Sequence, residues 1–303
     1  MHPRRIIQWL AALGYNANIP GFFKGRIYRG ELKSFCVPGL NCYSCPGAVA
    51  SCPLGAVQAV IASARYAFSF YAVGLMIGFG LMFGRLICGF LCPFGLLQEL
   101  LHASHARPAK FKKAEKTAKI ARPARLVKYI LLAVFVFALP FLTKGAAGVG
   151  DPAFCKYICP AGTITAGGPL LAANPLMREG LGLLFALKAS IALITIAGCL
   201  ASYRFFCKYL CPLGAFYGLF NSFALYRLRL NKDACTRCGA CASVCGMGVN
   251  PARSPDSPEC IRCGDCVKTC PASAISRGFR NRACQPQTES ASCAIPPKTR
   301  YKK

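Results

Sequence analysis

Eight cysteines between Cys235 and Cys270 constrain this chain more than any other feature. Cys235, Cys238, Cys241 and Cys245 are spaced C-x2-C-x2-C-x3-C, and Cys260, Cys263, Cys266 and Cys270 repeat the spacing, with Pro271 after the last. Three thiolates set this closely wrap one [4Fe-4S] cubane, and the fourth ligand of each cubane comes from the other run. The spacing therefore predicts Cys235, Cys238, Cys241 and Cys270 on one cluster and Cys260, Cys263, Cys266 and Cys245 on a second. Gly239 and Gly264 follow the second cysteine of each run, where a backbone without a Cβ turns closely round an inorganic core. A structural zinc or a disulfide knot is the competing reading, and the eight-cysteine spacing fits it poorly.

Composition points to a membrane. The chain has 303 residues and 21 cysteines, 54% of it is hydrophobic, and its mean hydropathy is +0.41. No signal peptide is evident at the N-terminus, and thiols kept as cluster ligands fit a reducing compartment. The formal charge is +27, with only 10 acidic residues. Nucleic-acid binding is the first thing such a charge suggests. The basic residues flank apolar stretches, however, and bound clusters would add negative charge, so nucleic acid is not expected as a partner.

Apolar stretches at about 47–64, 66–84, 126–143 and 181–202 read as four membrane spans. The fold class that follows is a polytopic α-helical membrane protein with a small α+β two-cluster ferredoxin domain. Its segments are a basic, cysteine-rich N-terminus (1–65), a helical membrane region (66–226), the ferredoxin domain (227–278) and a basic tail (279–303). The expected location is an inner membrane, multi-pass. The basic loop containing Arg107, Lys110, Lys112, Lys113, Lys116, Lys119, Arg122, Arg125 and Lys128 then lies with the ferredoxin domain on the cytoplasmic face. Lys188 interrupts the last span, and a lysine there either snorkels or faces something polar.

A second cysteine pattern recurs in the helical region. Cys88 and Cys92, Cys155 and Cys159, and Cys207 and Cys211 each form C-x3-C-P-x-G, and Cys52-Pro53-Leu54-Gly55 is half a copy. C-x3-C sets two thiols on neighbouring turns of one helix face, and the proline breaks the backbone after them. Cys88, Cys92, Cys207 and Cys211 are the two pairs that together would make a four-thiolate site. Cys155 and Cys159 are a further candidate pair. Buried packing, a structural turn and thiol chemistry are the other readings of these pairs. Cys36, Cys42, Cys45 and Cys52 suffice for a local third [4Fe-4S] site, with zinc as the alternative. Cys199, Cys284 and Cys293 fit no pattern; Cys199 reads as packing and the other two as unliganded.

These residues resemble the polyferredoxin family of membrane-bound iron–sulfur proteins, whose members look like the quinol-dehydrogenase component of periplasmic nitrate reductase systems and the membrane part of the nitrous-oxide reductase regulator. Arg85 to Gly95, Arg204 to Gly214 and the eight-cysteine run carry the resemblance. It implies electron transfer between a quinol or cytoplasmic donor and a flavin, haem or ferredoxin partner. The group at Cys36 to Cys52 and the pair at Cys155 and Cys159 are additions to that pattern.

No nucleophile–base set and no dinucleotide fingerprint occurs, so no catalytic residues are assigned. His2, His102 and His105 are the only histidines and none sits in a convincing span, which argues against bis-histidine haem. The leading expectation is a membrane-associated electron carrier, a subunit more than a complete enzyme. The alternatives are an iron–sulfur sensor acting through the loop at 107–128, or a quinol dehydrogenase acting alone.

Overall fold

The Cys-Pro steps at Cys52, Cys92, Cys159 and Cys211 each start a helix. Proline at the first helical position has its φ already set and needs no hydrogen-bond acceptor, while the residue before it is pushed to extended backbone. Cys52 (φ −73°, ψ 127°) and Cys211 (φ −77°, ψ 109°) take that conformation at their helix N-caps. The computed structural model describes residues 3–63, 69–105, 123–143 and 150–279. Its main elements are α1 (Pro3–Tyr15), α2 (Pro53–Ala62), α3 (Phe70–Phe83), α4 (Pro93–His105), α5 (Val127–Leu142), α6 (Leu183–Ala201) and α7 (Pro212–Leu219). Short turns of helix at Leu86–Phe90, Phe154–Ile158 and Phe205–Tyr209 carry the first cysteine of each C-x3-C pair.

The polytopic membrane fold is not what forms. A crossing helix needs about 20 residues to span the hydrocarbon layer. Among the described residues only α6, with 19, is long and apolar enough. The stretches at 47–64, 66–84 and 126–143 yield only shorter apolar helices, α2, α3 and α5. The first of them spends its opening residues in a loop that ends at Cys52, and Pro53 sets the late start of α2. The multi-pass inner-membrane placement, with the ferredoxin domain on its cytoplasmic face, falls with those spans. Most of the basic loop (Arg107 to Arg122), the tail with Cys284 and Cys293, and His2 lie outside the described residues.

The helices share one apolar core that runs from Leu40 and Leu54 through Ile87, Phe94, Phe154 and Phe206 to Leu213 and Ile261. The eight-cysteine segment is closed by a two-stranded antiparallel sheet, β1 (Tyr226–Leu230) with β2 (Ile275–Phe279), in the register Tyr226↔Phe279 to Leu230↔Ile275. This module docks on the helices through its second cysteine run. Ile261 is buried, and a Cβ on Gly89 would come within 2.7 Å of the Ile261 carbonyl oxygen, so only glycine permits that approach.

Buried ion pairs on Glu259 join the module to the helices, and a second set on Glu99 ties the helices to one another. Arg85 Nη1 donates to Glu259 Oε2 at 2.9 Å, and Lys128 Nζ donates to the other oxygen of the same carboxylate. Arg204 and Arg4 both reach Glu99, at 2.7 Å and 3.0 Å. Burial alone would push both carboxyls up; Arg85 and Lys128 on Glu259, and Arg204 and Arg4 on Glu99, hold them below the usual carboxylate value. Depressed carboxylates contribute stability that is full above their unfolded value, near ~4.3, and lost as pH falls through the folded value. Glu259→Gln is expected to cost about 3–5 kcal/mol, because it strands two buried cations. Urea unfolding followed by circular dichroism should show this loss at neutral pH and a weaker acid dependence in the variant.

Candidate functional site

The two ferredoxin-type runs adopt the same local shape. Arg237 (φ 54°) and Gly239 (φ 77°) in the first run match Arg262 (φ 53°) and Gly264 (φ 86°) in the second. Two left-handed residues astride the middle cysteine curl the chain and turn its amides inward. The amides of Arg262 and Val249 approach the Cys260 and Cys245 sulfurs at 3.4 Å each. The left-handed backbone of Arg262 is stabilised from outside. Its buried guanidinium donates to the carbonyls of Phe83 (2.9 Å), Asn221 (2.5 Å) and Tyr226.

Cys245, Cys260, Cys263 and Cys266 line one cavity of about 220 Å³, together with Arg4, His102 and Tyr203 from the helical body. This is the set that the crossed assignment would bring together, and inward amides and a roofed cavity suit a cubane held by four thiolates. Cys241 and Cys270 pack in the small core beside Cys260 and Cys266, while Cys238 is exposed. The module thus has an inner cysteine set against the helices and an outer set towards solvent.

The second constellation joins parts of the chain more than a hundred residues apart. Cys88, Cys92, Cys207 and Cys211 are all buried and interact with one another. The amides of Gly95 and Gly214 donate to the Cys92 and Cys211 sulfurs, each at 3.3 Å. These are the first-turn amides of α4 and α7, and they partly offset the burial and the neighbouring thiols that push Cys92 and Cys211 up. Arg85 Nη2 donates to the Cys207 carbonyl at 2.9 Å, and Arg204 donates to the Cys88 carbonyl. Each arginine precedes one cysteine pair and grips the other. The hydrogen bond with Cys211, then Arg204, Gln98 and Arg85, pull the Cys207 thiol well below the ordinary value.

The structure keeps Cys45 and Cys52 near Cys42 and adds a distant pair to the group. Cys42 and Cys52 meet Cys155 and Cys159. Cys45 donates to Asn16 Oδ1 at 3.8 Å, and Cys36 sits beside Ser51 in an isolated bridge. Among the described residues no three His, Cys, Asp or Glu side chains are set as ligands of a single ion.

Two glutamines were not singled out from sequence. Gln98 Nε2 donates to Cys207 Sγ at 3.1 Å, and Gln58 Nε2 donates to Cys155 Sγ at 3.2 Å. The signal was present as a longer repeat, C-P-x-G-x-x-Q, at Cys52 to Gln58 and Cys92 to Gln98. Cys199 is fully buried and donates to Gln98 Oε1 at 3.7 Å, which steadies that amide.

Comparison with known proteins bears directly on this geometry. A 4Fe-4S binding domain family matches residues 64–113, 129–168 and 184–232, and each segment contains one C-x3-C-P pair. A second 4Fe-4S binding domain family matches residues 228–249, over the first ferredoxin-type run. This is a ferredoxin-type iron–sulfur protein. It is related to proteins of electron transport and regulation. The methylamine utilization ferredoxin-type protein MauN of Paracoccus denitrificans is 29% identical over 163 residues, which is 54% of this chain and 48% of that protein. The putative electron transport protein YccM of Escherichia coli is 25% identical, covering 54% of this chain and 42% of its own length. The regulatory protein NosR of Stutzerimonas stutzeri is 28% identical, with 54% and 20% covered. The chain therefore spans about half or less of these relatives. No solved structure matches.

In this iron–sulfur protein the inner site should lose its metal before the outer one when its crossed ligand goes. Cys245→Ala is expected to change the electron paramagnetic resonance of the cluster at Cys260, Cys263 and Cys266, and Cys270→Ala that of the other. An uncrossed arrangement would reverse the two spectra.

Proposed function

We propose that this protein passes electrons between a donor and a redox partner, using three cysteine sets in sequence. The outer set is Cys235, Cys238, Cys241 and Cys270. The inner set is Cys260, Cys263, Cys266 and Cys245. The third is Cys88, Cys92, Cys207 and Cys211. When bound, a [4Fe-4S] cluster supplies one-electron redox chemistry at a potential tuned by net charge, hydrogen bonds to sulfur and exposure.

The observation that carries this reading is the guanidinium of Arg85. It bonds the Cys207 carbonyl and the carboxylate of Glu259, the residue before Cys260, so one rigid group links the inner ferredoxin set to the helical set. Ile261 against Gly89 is a second link, between the residues that follow Cys260 and Cys88. The chain's own side chains hold the thiolates, place cations beside them and exclude water. At the module surface Arg227, Arg229, Lys232 and Arg253 line an open basic groove, which favours an acidic redox protein bearing flavin, haem or ferredoxin-type iron. A quinol is the small-molecule donor that the motif resemblance suggests. Lipid contact through α6, whose Leu183, Leu187, Leu193 and Ile194 are exposed, belongs to the same proposal.

A regulatory role is the second reading, and the likeness to a protein named as a regulator favours it. There the redox state of the module is the signal and no sustained current flows. The test is anaerobic purification with iron and sulfide counts, followed by stopped-flow reduction. Cys88→Ala with Cys211→Ala should lose about four irons per chain. It should leave the module reducible but slow onward transfer to an acceptor at least tenfold. Unchanged onward transfer would sink the relay. A partner that binds differently to oxidised and reduced protein, without turnover, would establish the regulatory reading.

A further inference from the structure

The site at Cys88 to Cys211 has an internal counterpart. In the first, Cys92 caps α4 and accepts from the amide of Gly95; in the second, Cys52 caps α2 and accepts from the amides of Gly55 and Leu54. Opposite Cys92 stands Cys211, which accepts from Gly214; opposite Cys52 stands Cys159, which accepts from the amides of Gly162 and Ala161. Gln98 lies six residues after Cys92 and donates to Cys207, while its Oε1 accepts the Cys207 amide at 3.4 Å. Gln58 lies six residues after Cys52 and donates to Cys155, while its Oε1 accepts the Phe154 amide at 2.9 Å. The same glutamine clasp thus closes both constellations.

One position differs. A full C-x3-C pair ending at Cys52 would place its first cysteine at residue 48, which is a buried alanine. Cys42 comes in from the preceding loop instead. It lies near Cys155, Cys159 and Cys52, and a Cβ on Gly162 would touch its sulfur at 3.5 Å.

Charge supplies an independent observation. Lys33 is 6% exposed, donates to the Ala48 carbonyl at 2.6 Å and faces Cys42 and Cys45. Lys188 is the one charge within α6; its Nζ lies 3.4 Å from the Cys155 carbonyl oxygen and it faces Cys42. Among the described residues neither lysine has a carboxylate partner. The buried Lys33 ammonium needs a counter-charge, the half-buried Lys188 gains from one, and neutral thiols supply none. A thiolate-bound iron–sulfur cubane carries net negative charge and does.

We propose that Cys42, Cys52, Cys155 and Cys159 form a second four-thiolate iron–sulfur site, built from the half copy of the motif and the third cysteine pair, with Cys42 standing in for the cysteine missing at Ala48. Lys33 and Lys188 balance its charge. Cys36 and Cys45 are not ligands. The site stands whether or not the relay reading is right, because it concerns metal content and not current.

The test compares two double variants of the full chain, purified anaerobically. Cys155→Ala with Cys159→Ala should lose about four irons per chain and one electron paramagnetic resonance component, with the module signals retained. Cys36→Ala with Cys45→Ala should keep all its iron. The opposite result, iron lost from the second variant and kept by the first, would establish a local Cys36 to Cys52 site and overturn the proposal. Full iron in both variants would also overturn it. If the first variant loses all its iron it has failed to fold, and the second variant then decides: full iron supports the proposal and a loss of about four irons refutes it.

Discussion

Among the described residues the three largest fully buried side chains are arginines: Arg85, Arg204 and Arg262. A buried guanidinium is tolerable only when its donors find acceptors and its charge finds a partner. Arg85 and Arg204 meet most of this demand crosswise, with Arg85 Nε left without an acceptor. Each takes a carbonyl from the cysteine pair that the other precedes, and each takes a carboxylate, Glu259 or Glu99. The crossing forces Cys88 and Cys207 to face each other. Glu259 belongs to the ferredoxin-type module, so the same contact also sets the module against the helices. Arg262 completes the docking from the other direction by bonding three carbonyls of the helical body and β1.

Around this frame the chain uses one device several times. A cysteine followed by proline ends the extended backbone, starts a helix and receives the first amides of that helix on its sulfur. Four such caps, at Cys52, Cys92, Cys159 and Cys211, are arranged as two facing pairs. The loop that separates them touches both, because the adjacent amides of Leu40 and Asn41 reach the Cys92 and Cys52 sulfurs respectively. Tyr217 is fully buried, faces Cys88, Cys92 and Cys52, and donates to the Pro38 carbonyl at 3.0 Å. The two constellations are therefore neighbours in one packed core, and the ferredoxin-type module abuts the first.

The device also explains why the first of the apolar stretches yields a short helix, α2, that starts late. Hydropathy sums composition along a window, whereas crossing a bilayer requires an unbroken helix of sufficient length. Proline after cysteine sets where α2, α4 and α7 begin, α3 and α5 are short without it, and the apolar side chains of these helices line a core around the thiols. α6 carries no proline and keeps its length. Its single lysine is answered by the cysteine cluster it faces.

The sequence by itself determined the chemistry and the local shape. The doubled C-x2-C-x2-C-x3-C run names the ligand type, its glycines mark two of the left-handed turns, and the repeated C-P-x-G marks four helix starts; all of these are set by residues a few positions apart. Cys88 and Cys92 could be set beside Cys207 and Cys211 as candidates, since both copies carry an arginine three residues before the first cysteine. Only the tertiary structure decided that Cys42 and Cys52 face Cys155 and Cys159, with Cys36 beside Ser51 and Cys45 bonded to Asn16. Spacing along the chain favours the four nearest thiols, but the glutamine clasp and the core bring distant ones closer. It also decided that Glu99 and Glu259, two of the few acids, are buried partners of arginine, because a charge's environment depends on what packs against it and not on its neighbours in sequence.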